Sequence, residues 1–137
     1  MNVSSRCDYA VRAVIDLARH APGGQPQTAT EIAERERIPE KYLVHILLHL
    51  KRAGIVQSVR GAQGGYMLGR SPSAISVLDV ITAVDGPIME PIPGAESPSE
   101  EVRLTWRKVA RQLTVALGDI TIQSLLDEAA KADMYFI

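Results

Sequence analysis

Residues 38–70 read IPEKYLVHILLHLKRAGIVQSVRGAQGGYMLGR, and this stretch decides the fold. Pro39 suits a first helical turn, where its missing N–H costs nothing. Leu43, Ile46, Leu47 and Leu50 recur at helical spacing and predict one apolar face. Gly54 after Ala53 is a natural left-handed stop. Ile55 to Val59 is β-branched and extended in character. Gly61, Gly64 and Gly65 predict a tight tip, from which Tyr66, Met67 and Leu68 return as a second strand. Helix, strand, glycine tip, strand is the ending of a winged helix-turn-helix.

The opposite face of that helix carries the chemistry. At about 100° per residue, Lys41, His45, Leu48 and Arg52 point away from the core stripe, with Val44 at its edge. Lys41, Val44 and His45 lie in the first two turns, the part of a recognition helix that reaches base edges in a major groove. Arg60 and Gln63 sit on a loop of little bulk, able to approach phosphates or a minor groove. Either piece alone reads better as solvated charge or a plain hairpin. Their order together favours DNA.

Going back along the chain, Ser4 or Ser5 caps a first helix that reaches about His20, with Asp8, Arg12 and Asp16 as a polar stripe able to pair. The rest of its circumference is so apolar that packing on more than one side is expected, a partner chain being one cover. Residues 21–27 form a loop. Thr28 with Glu31 makes a capping box, and a turn at Arg37–Ile38 leads into Pro39, completing the helix-turn-helix. Thr28 also stands where a helix start can hold a DNA phosphate. Beyond the hairpin, Ser76 and Asp79 box a fourth helix that Gly86 stops. Residues 86–99 hold four prolines and two glycines and predict a linker, mobile at its centre.

Ser99 then starts the longest helix, roughly Glu100 to Leu117. Val102, Trp106, Val109, Leu113, Ala116 and Ile120 form a coiled-coil-like seam, for which packing in a small bundle is the plain alternative. Thr121 caps a last helix, and the tail carries Tyr135 and Phe136, which dock or fray. The expected fold class is mostly α with a small β-hairpin wing. Residues 1–86 are the winged helix-turn-helix, 87–99 the linker and 100–137 the dimerisation helices.

The totals fit this plan. The 137 residues suffice for one domain with an aliphatic core, since only 4% are aromatic. No run is apolar enough to span a bilayer and no leader precedes a cleavage site, so a cytoplasmic protein is expected. One cysteine excludes an internal disulfide and any all-cysteine metal site. The net charge is −1, but it is sorted: residues 1–70 hold ten Lys/Arg against six Asp/Glu, and residues 71–137 hold five against ten. The basic half contains the wing and the recognition helix.

Other groups read more plainly. Cys7 is more often a small buried hydrophobe than a reactive thiol. His45 and His49 are half a metal pattern without a third donor nearby. Glycines 61–65 lack the Lys-Ser/Thr of a P-loop. No paired carboxylates or nucleophile elbow suggest an enzyme.

The chain resembles the Rrf-two family of bacterial winged helix-turn-helix transcriptional regulators (IscR-, NsrR- and CymR-type). The resemblance rests on Tyr9-Ala10 with Arg12-Ala13, Ile32-Ala33-Glu34, Ile38-Pro39 with Tyr42-Leu43, Ala53-Gly54, Arg60-Gly61, Gly64-Gly65-Tyr66 and Asp85-Gly86-Pro87. It implies a homodimer joined through the long helix, with the first helix on the partner. It implies DNA contacts at Lys41, Val44, Arg60 and Gly61. Val44 cannot read a base by hydrogen bonding, as an acidic residue there can. It also implies, for cluster-binding members, three cysteines within 87–105. This chain has none there, so no iron–sulfur cluster is expected, and Asp8, a carboxylate ligand in some members, is expected to pair with Arg12 instead. The candidate DNA contacts are then Thr28, Lys41, Tyr42, Val44, His45, Arg52, Arg60, Gly61 and Gln63. The expected function is a homodimeric sequence-specific DNA-binding transcriptional regulator, a repressor, with a protein or small-molecule effector as further partner. The alternative is a winged-helix module that contacts a metabolic enzyme. A metal or thiol sensor with DNA output is a third reading.

Overall fold

The computed structural model describes residues 2–135. Phe136 and the side chain of Tyr135 lie outside the described residues, and with them the expectation about the tail. The elements run α1 (Ser5–His20), α2 (Ala29–Glu36), α3 (Glu40–Arg52), β1 (Val56–Val59), β2 (Gly65–Leu68), α4 (Val77–Asp85), α5 (Glu100–Gly118) and α6 (Ile122–Tyr135). The strands pair antiparallel, Val56 opposite Leu68 and Val59 opposite Gly65.

Local signals set most boundaries. Ser4 accepts from the Cys7 N–H, Thr28 and Glu31 cap reciprocally, Ser76 and Asp79 do the same, and Ser99 accepts from the Val102 N–H. Leu43, Ile46, Leu47 and Leu50 turn their sides of α3 into the core and are essentially fully buried. Each contributes about 1.5–3 kcal/mol of burial.

α1 is the hub. It packs against α2, α3, α4, α6 and β2. Ala10, Ala13, Val14, Leu17 and Ala18 are buried by these neighbours, which the local pattern of α1 could not announce, while Tyr9, Val11 and Ile15 stay half-buried. Asp16 departs from the expected stripe. Asp8 does pair with Arg12, at 2.7 Å, but Asp16 is 2% exposed and takes two bonds from Arg35 of α2, at 3.0 and 2.8 Å. The Arg35 Nη2 also donates to Gln27 Oε1 at 2.8 Å. The main chain of Gln27 exchanges two bonds with Tyr66 of the wing, at 2.9 and 2.7 Å.

The prolines after Gly86 predicted a mobile tether, but the structure folds that segment into turns laid on α5. Gly94 lies so close to Trp106 and Val102 that a Cβ there would come within 2.8 Å of both. The Ala95 and Ser97 N–H groups close turns onto Ile92 and Gly94, and Arg103 donates back to the Ser97 carbonyl. α6 returns to the winged part: Ile122 is fully buried with α1, and its N–H donates to the Ile75 carbonyl at 2.9 Å.

The start of α1 meets the end of α4 at Asp85. Its Oδ2 accepts from the Ser4 hydroxyl at 2.6 Å and the Cys7 thiol at 2.9 Å, and Arg6 lies 3.5 Å from Oδ1. Burial, then the Asp85 carboxylate, pushes the Cys7 thiol pKa up. Burial works against Asp85, but the bonds from Cys7 and Ser4 and the charge of Arg6 hold its carboxyl below the usual range.

Two outcomes follow. Asp16→Ala removes the two bonds that clamp Arg35 to α1, and urea unfolding should show a loss of about 2 kcal/mol, short of the fully buried case because Arg35 reaches solvent and keeps Glu31 within 3.7 Å. Asp85, with a lowered pKa, adds stability above the ordinary carboxyl range that is lost as pH falls through its folded value. Cys7, with a raised pKa, adds stability below the free thiol range that is lost as pH rises. Wild type should therefore lose its stability margin over Asp85→Asn on the acid side, and iodoacetamide should label folded Cys7 more slowly than unfolded Cys7 at pH 8.5.

Candidate nucleic-acid interface

The helix-turn-helix turn is tight. Arg37 adopts φ 54° and its N–H closes α2 onto the Ala33 carbonyl. Burial of Ile38, 4% exposed, draws the chain inward at that point and offsets the strain of a non-glycine residue there. Pro39 stands at the N-cap of α3 rather than inside its first turn, and the Thr30 hydroxyl donates to Glu40 at 2.8 Å to tie α2 to α3.

All nine residues expected to meet DNA are exposed. Lys41, Val44, His45 and Arg52 lie on the outer side of α3 together with Leu48, while Tyr42, 61% exposed, stands on its flank. Arg60, Gly61 and Gln63 form the wing tip between β1 and β2. Two glycines make this tip by close approach. A Cβ on Gly64 would meet the Val59 carbonyl oxygen at 2.2 Å, and one on Gly65 would meet that of Gln27 at 2.5 Å. The wing hairpin is thereby pressed on the residue preceding α2. Gln63 and Thr28 share a cleft of about 400 Å³ with Gln25, Gln27 and Glu31. The Thr28 side chain is already committed: its oxygen accepts from the Glu31 N–H at 3.1 Å and its hydroxyl donates to the Glu31 carboxylate at 2.9 Å. The latter bond, first, holds the Glu31 carboxyl below its usual range.

The cations are sorted by partner as well as by sequence. Within residues 2–70, Arg6, Arg12, Arg19, Arg35 and Arg70 each lie within ion-pair distance of a carboxylate. Within the same span Arg37, Lys41, Lys51, Arg52 and Arg60 have no such partner, and all five fall between the turn and the wing; further along, Arg107, Lys108 and Arg111 of α5 and Lys131 of α6 are likewise without one among the described residues. Local periodicity missed one neighbour of α3. Arg6, at the start of α1, comes to the flank of α3, where it lines a cavity of about 220 Å³ with Tyr42, His45, Ile46 and His49. Only the packing of α1 on α3 reveals that proximity.

The expected seam on α5 is partly occupied. Trp106, Val109 and Leu113 are half-buried within the chain, whereas Val102, Ala116 and Ile120 are exposed, and Ala110 is the one buried residue of the helix among those described. Leu104 and Val115, 53% and 58% exposed, form a second apolar strip on the far side that the seam reading did not include. No helix among the described residues is long and apolar enough to cross a membrane.

Comparison with known proteins agrees with this geometry. The Rrf2 family model, described as an iron-dependent transcriptional regulator, matches residues 3–128. The regulator CymR of Bacillus subtilis is 33% identical and the match covers 100% of both chains. A putative rrf2-like regulator of Rhodobacter capsulatus is 33% identical over 90% of this chain and 91% of its own. Among solved structures, the IscR of T. potens superposes with TM-score 0.82 at 36% identity, covering 96% of this chain and 90% of that one. CymR of B. subtilis, described as a global cysteine regulator, gives 0.83 at 31% identity, covering 93% and 98%.

The iron in the family description needs donors, and the residues present do not fit an iron–sulfur cluster. Such clusters are held mainly by thiolates. The chain's one thiol is 4% exposed and bonded to Asp85, and residues 87–105 contain no cysteine. Among the described residues no group of three or more His, Cys, Asp or Glu is placed to hold a metal ion. The winged helix-turn-helix, its partner-free cations and the matches over nearly the whole chain lead to one conclusion: this chain belongs to the Rrf2 family, and it is a DNA-binding transcriptional regulator, not an enzyme.

Proposed function

We propose that the regulator acts as a homodimeric repressor in the cytoplasm, with the outer side of α3 in the major groove and the wing tip on the flanking backbone or minor groove. The observation that carries the placement is the run of five partner-free cations from Arg37 to Arg60. Charges already spent on carboxylates would lose that partner on meeting phosphate; these would not. Lys41, Tyr42, Val44 and His45 are assigned to the groove, Arg52, Arg60, Gly61 and Gln63 to backbone and wing contacts. Thr28, whose side chain is held by Glu31, offers a phosphate the backbone at the start of α2.

Dimerisation is assigned to α5, the long helix of the last segment in the division 1–86, 87–99 and 100–137. A 19-residue helix with one buried residue leaves apolar strips on two sides, which a second copy can cover. Two joined copies hold two half-sites at once. Control comes from a protein or small molecule acting on the joint between the winged part and α5. A purely protein-binding use of the winged part is not favoured, because the relatives are transcriptional regulators and the exposed face is cationic.

Mobility shifts with promoter fragments at increasing salt test the placement; absence of salt-sensitive binding to any fragment would refute it. Arg60→Ala should weaken specific binding by about 1–3 kcal/mol with the fold intact. Ala116→Glu with Ile120→Glu alters side chains that face solvent in the single chain, so the protomer should stay folded by circular dichroism. Sedimentation should then show monomers, and half-site cooperation on DNA should be lost; a persisting dimer would place the interface elsewhere.

A further inference from the structure

The outer face of α3 carries two apolar side chains in the midst of its cations. Val44 is 47% and Leu48 43% exposed. They stand four residues apart and so lie along one line of the helix surface. Lys41 and His45 flank Val44, and Arg52 follows Leu48. Among the described residues neither Lys41 nor Arg52 meets a carboxylate within ion-pair distance, so the frame around the ridge is positive.

A greasy ridge framed in this way suits a polyanion that itself bears apolar spots. Double-stranded DNA has such a spot in the major groove, the C5 methyl group of thymine. Neither Val44 nor Leu48 has a donor or acceptor, so neither can read the hydrogen-bonding edge of any base. Their separation along the helix axis is about 6 Å, close to two base-pair steps of about 3.4 Å. A helix lying along the groove can therefore set both over methyl groups roughly two steps apart.

We infer that Val44 and Leu48 read thymine methyl groups, so that part of the operator's sequence preference is a demand for thymine at one or two positions of each half-site. The inference rests on the DNA-binding placement of α3 proposed above. It assigns recognition to the two outer-face residues that hydrogen-bond readout would leave idle.

The test begins with duplexes selected from a random pool by the full-length protein. In the selected operator each thymine is replaced in turn by deoxyuridine, which removes the methyl group and nothing else. Affinity is read by fluorescence anisotropy for wild type, Val44→Ala and Leu48→Ala. Both positions are exposed and alanine favours helix, so the variants should keep the wild-type circular dichroism. Wild type should bind about fourfold more weakly for each recognised methyl removed, the factor expected for burying one such group. At those positions the matching alanine variant should no longer distinguish thymine from deoxyuridine. Wild-type binding that is unchanged by deoxyuridine at every position overturns the inference and leaves the DNA-binding placement standing. Methyl sensitivity that persists in both alanine variants does the same. Failure to select any duplex overturns both.

Discussion

The architecture depends on Gln27. Its main chain joins the edge of the wing through Tyr66, and its side chain joins Arg35, which is clamped to the buried Asp16. Three elements meet on that residue: α1 through Asp16, α2 through Arg35, and β2 through Tyr66. A charge as buried as Asp16 is tolerated only when paired and bonded, so the network is all-or-none. Gly65 makes the arrangement stricter, since any side chain there would strike the Gln27 carbonyl. The wing thus cannot swing free of α2, and α2 is fixed to α3 by shared core and by the Thr30–Glu40 bond. A reader of duplex DNA must present helix and wing at one set angle. Fixing that angle beforehand removes an ordering cost from binding.

The same network bears on charge. A chain of net charge −1 is a poor candidate for a polyanion on totals alone. What matters is which charges are free. The arginines of α1 are each engaged, with Asp85, Asp8 and Glu36, and Arg35 of α2 with Asp16. Within residues 2–70 the cations left over fall on the turn, α3 and wing; beyond them Arg107, Lys108 and Arg111 of α5 and Lys131 of α6 also lack a carboxylate partner among the described residues. The acidic surplus after residue 71 lies on α4, on α6 and on the segments flanking α5, whereas α5 itself holds four Lys/Arg against two Asp/Glu. With a screening length of about 10 Å in ordinary salt, a charge excess acts mainly on what lies near it, so the local surplus of cations on α3 and the wing counts for more than the chain total.

What could be read in the sequence was what is local. The caps at Ser4, Thr28, Ser76 and Ser99 depend on residues three apart, and the core stripe of α3 on a period of 3.6. The glycine tip announced the wing. The Asp16–Arg35 clamp was not legible, because its partners are nineteen residues apart and Asp16 sits at i, i+4 from Arg12, which suggested the wrong mate. Nor was the cover of α1, since a helix's own pattern shows how much apolar surface it has and not which neighbour takes it. The proline-rich segment misled in the opposite sense. Composition gave a flexible tether, whereas Gly94, having no side chain, lets that segment lie flat on Trp106. Arg6 was invisible as a neighbour of the recognition helix for the same long-range reason.

Cys7 shows how environment settles a role that position leaves open. A thiol at a helix N-terminus is ordinarily tuned toward thiolate by the positive end of the dipole. Here the first turn also faces Asp85, and the carboxylate takes the thiol proton as a hydrogen bond. Burial and that negative neighbour both favour the neutral thiol and outweigh the Ser4 and Arg6 contributions that act the other way. A proton so held makes the sulfur a weak nucleophile and a poor metal ligand. The contact does structural work instead, closing the start of α1 onto the end of α4 just before the chain turns toward α5. Beside this junction a cavity of about 380 Å³ is lined by Cys7, Asp85, Met89, Leu113 and Leu117. The junction between the winged part and α5 is thus lined mainly by apolar side chains and anchored by one satisfied carboxylate.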